Sequence, residues 1–177
     1  MIKLIRYFAQ GRLFWALLVI LGVTLEGCGL YFQYGLKLEP CVNCVYERAL
    51  YLTFIAAGII ALINPKNRLW RLLGELTFFV GSLFGVMIAF SHLADYTNNG
   101  FGASCKLRAD FPSFFKLDEW LPWMFKPTGA CVELDWSLLG FNMPQWILFS
   151  FLCGAVAALV FIITEPFARR EERLRFY

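Results

Sequence analysis

Apolar residues are concentrated in four long blocks of the chain, and the segments between them carry most of the polar residues. A helix that crosses a bilayer needs about 20 mainly apolar residues, and blocks at about 13–32, 45–63, 72–90 and 146–163 meet that length. The pattern predicts an all-α integral membrane protein. We expect residues 1–177 to form a single transmembrane domain built as a four-helix bundle.

The segments between the predicted spans differ in length and character. A short loop at about 33–44 joins the first two spans, and a long polar loop at about 92–145 joins the last two. The middle two are joined by a basic turn that opens with Asn64 and Pro65, a pair that stops helices. Pro144 suits the first turn of the fourth helix, where its missing N–H costs nothing.

Part of the long loop has the apolar spacing of a helix. The positions that carry this spacing are Leu117, Trp120, Leu121 and Met124. We expect a short helix over 117–125 that lies flat in the membrane interface, where tryptophan is favoured. Such a helix would hold the long loop close to the membrane.

Composition and charge agree with a membrane protein and predict its orientation. Of the 177 residues, 59% are hydrophobic and only 16% are charged. The N-terminal segment, the middle turn and the C-terminal segment together hold ten of the 16 basic residues, whereas the long loop holds four basic and six acidic residues. Because cytoplasmic flanks are rich in Lys and Arg, we expect both termini in the cytoplasm of a bacterium. The chain would then lie in the inner membrane with its two cysteine-bearing loops in the periplasm.

A cleaved signal peptide is the alternative interpretation of the first block. Lys3 and Arg6 precede the block, and Leu25-Glu26-Gly27-Cys28 resembles a lipoprotein cleavage box. The block is long enough to span, however, and an acid inside such a box is unusual. We therefore expect it to remain as the first span.

Cys41 and Cys44 form a C-x-x-C motif just before the second predicted helix. A helix N-terminus stabilises a thiolate, because its free N–H groups and the helix dipole favour negative charge. Arg48 lies one turn deeper on the same face, where a guanidinium needs an anionic or carbonyl partner. An inert disulfide is the alternative, but a bridge over so short a loop removes little chain entropy. The motif therefore favours redox catalysis.

The other cysteines give weaker signals. Cys105 and Cys131 lie 26 positions apart in the long loop. They could form a structural bridge or a labile, exchange-competent one, and spacing alone leaves both open. Cys28 and Cys153 fall inside spans, where we expect small apolar packing residues.

Several binding functions lack their sequence signals. A zinc site would favour two clustered C-x-x-C pairs or additional histidines, and this chain has one histidine. Haem attachment needs C-x-x-C-H, but Val45 follows Cys44. A nucleotide cofactor would need a G-x-G-x-x-G fingerprint after a strand, and none is present. We expect no metal site and no nucleic-acid partner.

His92 closes the third predicted span at nearly the depth of Arg48. Together they could bind a polar headgroup that carries an apolar tail, although a histidine that merely reaches the interface is the alternative. Making a disulfide releases two electrons, and a more oxidising acceptor must take them. A lipid-soluble quinone is the natural acceptor beside a membrane.

Taken together, these features resemble the DsbB family of bacterial quinone-dependent disulfide-forming proteins. The resemblance rests on residues 40–48 (PCVNCVYER), on Cys105 and Cys131, on His92, and on residues 143–146 (MPQW) opening the last span. It covers essentially the whole chain, including the order of spans and loops, and the combination is highly specific.

The resemblance implies a relay of thiol–disulfide exchanges. A reduced periplasmic thioredoxin-like dithiol protein, DsbA, would attack a Cys105–Cys131 disulfide and form a mixed disulfide through Cys105. An interloop exchange between Cys41 and Cys131 would pass the electrons to the Cys41/Cys44 pair.

The resemblance also implies a quinone site. Cys44 would donate to ubiquinone or menaquinone held near Arg48 and His92. Glu47, which lies between Cys44 and Arg48 in the motif, is a further quinone-binding candidate. The alternative from another class is a four-span scaffold with a disulfide-stabilised outer loop. A relative dedicated to one partner, or a vitamin-K-reductase-like enzyme whose C-x-x-C sits elsewhere in the bundle, are the redox alternatives.

Overall fold

The structure is a computed structural model that describes residues 8–97, 109–112, 116–129 and 136–174, with side chains up to 165. The first three long helices follow each other along the chain as α1 Arg12–Leu30, α2 Val42–Ile63 and α3 Arg68–Thr97. Two short helices and one long helix complete them: α4 Leu117–Trp120, α5 Pro122–Phe125 and α6 Met143–Leu174. Within the described part of the chain, four helices are long and apolar enough to cross a membrane, which confirms the predicted four-helix membrane fold.

Short connections make neighbouring long helices antiparallel. Helix α2 packs against both α1 and α3, and α3 packs against α6. Buried aromatic rings fill the centre, where Tyr51 stacks on Phe151 with ring centroids 4.5 Å apart and Phe54 meets Phe78 edge-on at 4.9 Å. These rings form an aromatic core between α2, α3 and α6.

Small residues let the helices approach closely. A side chain at Gly58 would lie 2.9 Å from the carbonyl oxygen of Trp15 in α1. One at Gly74 would lie 2.9 Å from the carbonyl oxygen of Ala57 in α2. Glycine at such crossings is typical of membrane helices, whose association depends on close packing.

Helix ends differ from the predicted bounds in ways that affect the site. The predicted long loop began at His92, but α3 continues to Thr97, so His92 lies inside the helix rather than at its end. After α1 the chain makes one π-helical turn, Tyr31–Gly35. That turn brings Gln33 towards the second helix, as shown below.

The predicted helix over 117–125 is divided in two. Leu121 has φ −132° and ψ 62°, outside the helical region, and separates α4 from α5. The cause is Pro122, because a proline ring disfavours helical backbone at the preceding residue. The turn of α5 still buries Met124 and Phe125 while Trp123 remains exposed.

The all-α prediction missed a small hairpin before α6. Strands β1 Ser137–Leu138 and β2 Phe141–Asn142 pair antiparallel. Leu139 and Gly140, with φ of 55° and 82°, form the two-residue turn, a conformation that suits tight hairpins.

Candidate active site

Cys41 caps the N-terminus of α2, and its thiol lies beside the thiol of Cys44. The Sγ atom of Cys41 accepts a hydrogen bond from the backbone N–H of Cys44 at 3.3 Å. The two Sγ atoms lie 2.9 Å apart, well beyond the roughly 2.05 Å of a disulfide bond. Cys41 is only 3% exposed, whereas Cys44 is partly exposed. The two thiols are therefore adjacent but unequal in access.

His92 of α3 faces both thiols. Its Nε2 atom lies 3.6 Å from Cys41 Sγ and 3.9 Å from Cys44 Sγ. Its Nδ1 atom is 2.8 Å from Glu47 Oε1, and both side chains are buried. An imidazole held by a carboxylate through one nitrogen can exchange a proton with a thiol through the other.

A second polar contact fixes the same two helices one turn closer to the surface. The Asn43 side chain donates from Nδ2 to Asp95 Oδ2 at 3.1 Å, and both groups are buried. With the His92–Glu47 contact, this gives two buried links between the start of α2 and the end of α3. The position of His92 relative to the thiols is therefore fixed by helix packing.

Among the described residues, the hydrogen-bond partners of Arg48 are all oxygens of neutral groups. It donates to the Gly29 carbonyl at 2.5 Å, to Gln33 Oε1 at 2.6 Å and to the Met124 carbonyl at 3.1 Å. The sequence predicted a carbonyl or anionic partner, and the described residues supply carbonyls. A guanidinium has five N–H donors, so these three bonds leave two for a further oxygen.

A cavity of about 340 Å³ opens beside Cys44. Its polar wall includes one face of α2, at the helical spacing i, i+3, i+4 and i+7, followed by Ser150 of α6: Cys44, Glu47, Arg48, Tyr51 and Ser150. Its apolar wall comes mainly from α1, α6 and the segments beside them, with Leu25, Phe32, Trp136, Trp146, Ile147 and Phe149. A cavity with apolar walls and a few convergent polar groups is typical of small-molecule sites.

His92 does not line this cavity, although the sequence placed it with Arg48 in one quinone site. The imidazole approaches the thiols from α3, whereas the cavity lies on the side of α1 and α6. Glu47 lines the cavity and also contacts His92. Glu47 therefore links His92 to the cavity, whereas the sequence had predicted that His92 and Arg48 would line one site together.

The described part of the long loop is attached around the C-x-x-C motif. The backbone N–H groups of Thr128 and Gly129 both donate to the Pro40 carbonyl, at 3.0 and 3.1 Å. The backbone N–H of Asp110 donates to the Tyr46 hydroxyl at 2.6 Å. Val45 packs against the buried side chains of α4 and α5. Cys105 and Cys131 themselves lie outside the described residues.

Some site residues were missed by sequence reasoning. Gln33 and Gly29 carry no motif and join the site only through Arg48. Tyr51 could have been found, since it lies seven positions after Cys44 on the same helical face. Glu26 is a buried acid inside an apolar span, but it does not line the cavity, and its oxygens have no hydrogen-bond partner among the described residues. Cys28 and Cys153, expected as packing residues, are exposed on the bundle, and Cys28 also lines the cavity.

Comparison with known proteins gives one consistent match. Residues 11–161 match the family model described as Disulfide bond formation protein DsbB. A relative from Shewanella loihica is 38% identical over 156 residues, covering 88% of this chain and 91% of its own length. One from Haemophilus influenzae (strain 86-028NP) is 36% identical over 176 residues, 99% of both chains. One from Vibrio parahaemolyticus is 37% identical over 169 residues, 95% of both. All three are named Disulfide bond formation protein B.

Proposed function

Because the chain belongs to the DsbB family of membrane disulfide bond formation proteins, we propose that it is a protein-dithiol:quinone oxidoreductase. It reoxidises a DsbA-like periplasmic dithiol protein and passes the electrons to ubiquinone or menaquinone. The observation that carries this proposal is the position of Cys44, whose side chain lines an apolar-walled cavity together with Arg48. A thiol beside such a cavity can reach a lipid-soluble acceptor.

The residues of the cavity fit a quinone. Aromatic and aliphatic side chains on α1 and α6 suit its ring and the start of its tail. Arg48 has N–H donors left over to bind a ring oxygen, because only three of its donors are used by Gly29, Gln33 and Met124. When bound, the quinone accepts two electrons and two protons.

The chain's own groups supply these electrons and protons. Oxidation of the Cys41/Cys44 dithiol forms one S–S bond and releases two electrons and two protons, so the reaction balances without another oxidant. His92 Nε2 is close enough to both Sγ atoms to take a thiol proton. Glu47 orients His92 and also faces the cavity. We therefore assign proton transfer to His92 and Glu47, and binding of a quinone oxygen to Arg48.

The long loop delivers electrons from the soluble partner. In this proposal the partner's dithiol attacks a Cys105–Cys131 disulfide through Cys105, and Cys41 then exchanges with Cys131. The hydrogen bond from Gly129 N–H to the Pro40 carbonyl supports this route. Cys131 is two residues beyond Gly129, which is at most about 7 Å of extended chain, and Cys41 is the residue after Pro40.

The charge distribution supports the topology that this function needs. Lys and Arg accumulate at both termini and in the turn between α2 and α3. We propose a bacterial inner-membrane location with both termini cytoplasmic and the Cys41 end of the bundle in the periplasm.

Steady-state turnover tests the proposal. The purified full-length chain, mixed with a reduced thioredoxin-like dithiol protein and a short-chain quinone, should consume one quinone for each dithiol oxidised. Cys44→Ala should abolish this turnover. Cys153→Ala is the matched control, because Cys153 is exposed on α6 and does not line the cavity, and it should retain wild-type turnover. Thiol oxidation that survives Cys44→Ala would favour the scaffold alternative.

A further inference from the structure

Three metal-ligating atoms meet at the N-terminus of α2. Cys41 Sγ, Cys44 Sγ and His92 Nε2 all lie within 4.8 Å of one another. Two thiols and an imidazole form a ligand set that binds Zn²⁺ and its soft relative Cd²⁺. No local motif predicts this site, because Cys105 and Cys131 are not clustered with the C-x-x-C motif and His92 lies 48 positions after Cys44.

The spacing of these atoms is close to that of a tetrahedral centre. Bonds of about 2.3 Å to sulfur and about 2.0–2.1 Å to nitrogen would separate sulfur from nitrogen by about 3.6 Å and two sulfurs by about 3.8 Å. The observed sulfur–nitrogen distances are 3.6 and 3.9 Å, and the sulfurs are 2.9 Å apart. The Cys41–His92 distance already fits, the Cys44–His92 distance would have to shorten by about 0.3 Å, and the sulfur–sulfur distance would have to increase by about 0.9 Å.

The surroundings also resemble those of a built metal site. Ligating histidines usually donate their other ring N–H to a carboxylate, which fixes the ring. His92 Nδ1 has this contact with Glu47 Oε1 at 2.8 Å. Cys44 lines the cavity, so a water molecule can complete the fourth position from that side.

We propose that the reduced Cys41/Cys44 pair and His92 bind one thiophilic divalent cation, with Zn²⁺ or Cd²⁺ as the chemical class. Binding converts both thiols to metal-bound thiolates and releases two protons to water, with no change of oxidation state. An oxidised pair has no free thiolates and cannot bind. The site is therefore redox-gated. Binding stands independently of the proposed function, but the further consequence, that the metal stops turnover by trapping the reduced enzyme, rests on it.

Titration with Cd²⁺ tests the site directly, because cadmium thiolates absorb in the near ultraviolet. The full-length chain would carry Cys28→Ser, Cys105→Ser, Cys131→Ser and Cys153→Ser, which leaves Cys41 and Cys44 as its only thiols. We expect one Cd²⁺ for each reduced chain and none for the oxidised chain. Adding His92→Gln should weaken binding at least tenfold, and adding Glu47→Gln should weaken it by about tenfold through the orientation of His92.

Two results of this Cd²⁺ titration would overturn the site. One is equal Cd²⁺ binding after Cys44→Ser, and the other is affinity unchanged by both His92→Gln and Glu47→Gln. Thermal unfolding provides a second measurement in case a variant folds poorly. Zn²⁺ should raise the melting temperature of the reduced chain that keeps Cys41, Cys44 and His92, and should not raise it when that chain is oxidised.

Turnover of the wild-type chain separates this proposal from the proposed function. Chelator-reversible inhibition by Zn²⁺ supports both, turnover without metal binding overturns only the site, and metal binding without turnover overturns only the enzyme.

Discussion

Arg48 near the start of α2 and Arg71 near the start of α3 are both buried, but their side chains are held in different ways. Arg71 forms a paired contact with the Glu165 carboxylate through Nε and Nη2, and donates to the Pro65 carbonyl at 2.9 Å. Arg48 has only neutral oxygens as partners, and among the described residues no carboxylate lies within ion-pairing distance of it. Both side chains are less than a tenth exposed.

The difference separates a structural charge from a functional one. A buried ion pair with fork geometry uses its donors on its counter-ion and joins helices α3 and α6. A buried guanidinium that makes no direct ion pair among the described residues, and that lines a cavity, keeps N–H donors available for a ligand. We therefore expect mutations at the Arg71 end to change stability, and mutations at the Arg48 end to change the use of quinone.

The largest effect is expected from Arg71→Ala. Removing one partner of a buried pair leaves Glu165 and the nearby Glu75 uncompensated, which costs about 3–5 kcal/mol. Denaturant unfolding in detergent would measure this loss, and turnover per folded molecule should stay near wild type. Arg68→Ala is the matched control, because Arg68 also approaches Glu165, at 3.8 Å, but is 51% exposed. An exposed ion pair of this kind contributes about 0–1 kcal/mol. A similar loss of unfolding free energy in Arg71→Ala and Arg68→Ala would contradict the structural role assigned to Arg71.

Arg48→Ala should raise the KM for short-chain quinone by about 10- to 150-fold. A hydrogen bond from a charged group contributes about 1.5–3 kcal/mol, and Arg48 would lose its bond to a quinone oxygen. Exchange between the partner's dithiol and the long-loop cysteines should change less, because Arg48 faces the cavity. Stopped-flow measurement of each half-reaction separates the two effects. An equal loss of rate in the quinone half-reaction and in the dithiol-exchange half-reaction would contradict the placement of the quinone beside Arg48.

A smaller and more selective effect is expected from Gly29→Ala. The added methyl group would lie 2.9 Å from Arg48 Nε and must displace the guanidinium. A shift of a few tenths of an ångström should raise the quinone KM several-fold, by about 1 kcal/mol or less. Gly27→Ala in the same helix meets nothing within 4 Å, so steady-state kinetics should show no change. An unchanged KM in both variants would show that the position of Arg48 is unimportant.

The sequence predicted the parts of this site that depend on local spacing. The helical interval from Cys44 to Arg48 places both on the cavity wall. Four apolar blocks predicted four helices because length and hydropathy are properties of single segments. The break at Leu121 was also predictable, since the residue before a proline rarely stays helical.

Contacts between distant segments could not be predicted in the same way. Glu47 and His92 are 45 positions apart, and nothing in either segment specifies that Nδ1 meets a carboxylate rather than a quinone oxygen. The carbonyl partner Met124 comes from α5, whose position depends on burial of Phe125 against α2. Such pairings follow from helix packing, which a single sequence does not encode in a local pattern.

The central claim is that the Cys41/Cys44 pair faces the quinone and the Cys105/Cys131 pair faces the soluble partner. A single-turnover experiment tests it most directly. A reduced chain with Cys105→Ser and Cys131→Ser is mixed with excess short-chain quinone, and quinol formation is followed by ultraviolet absorbance. We expect one quinol for each chain, and none from a reduced chain with Cys41→Ser and Cys44→Ser. Quinol formed by the second chain, or absent from the first, would contradict the assigned division.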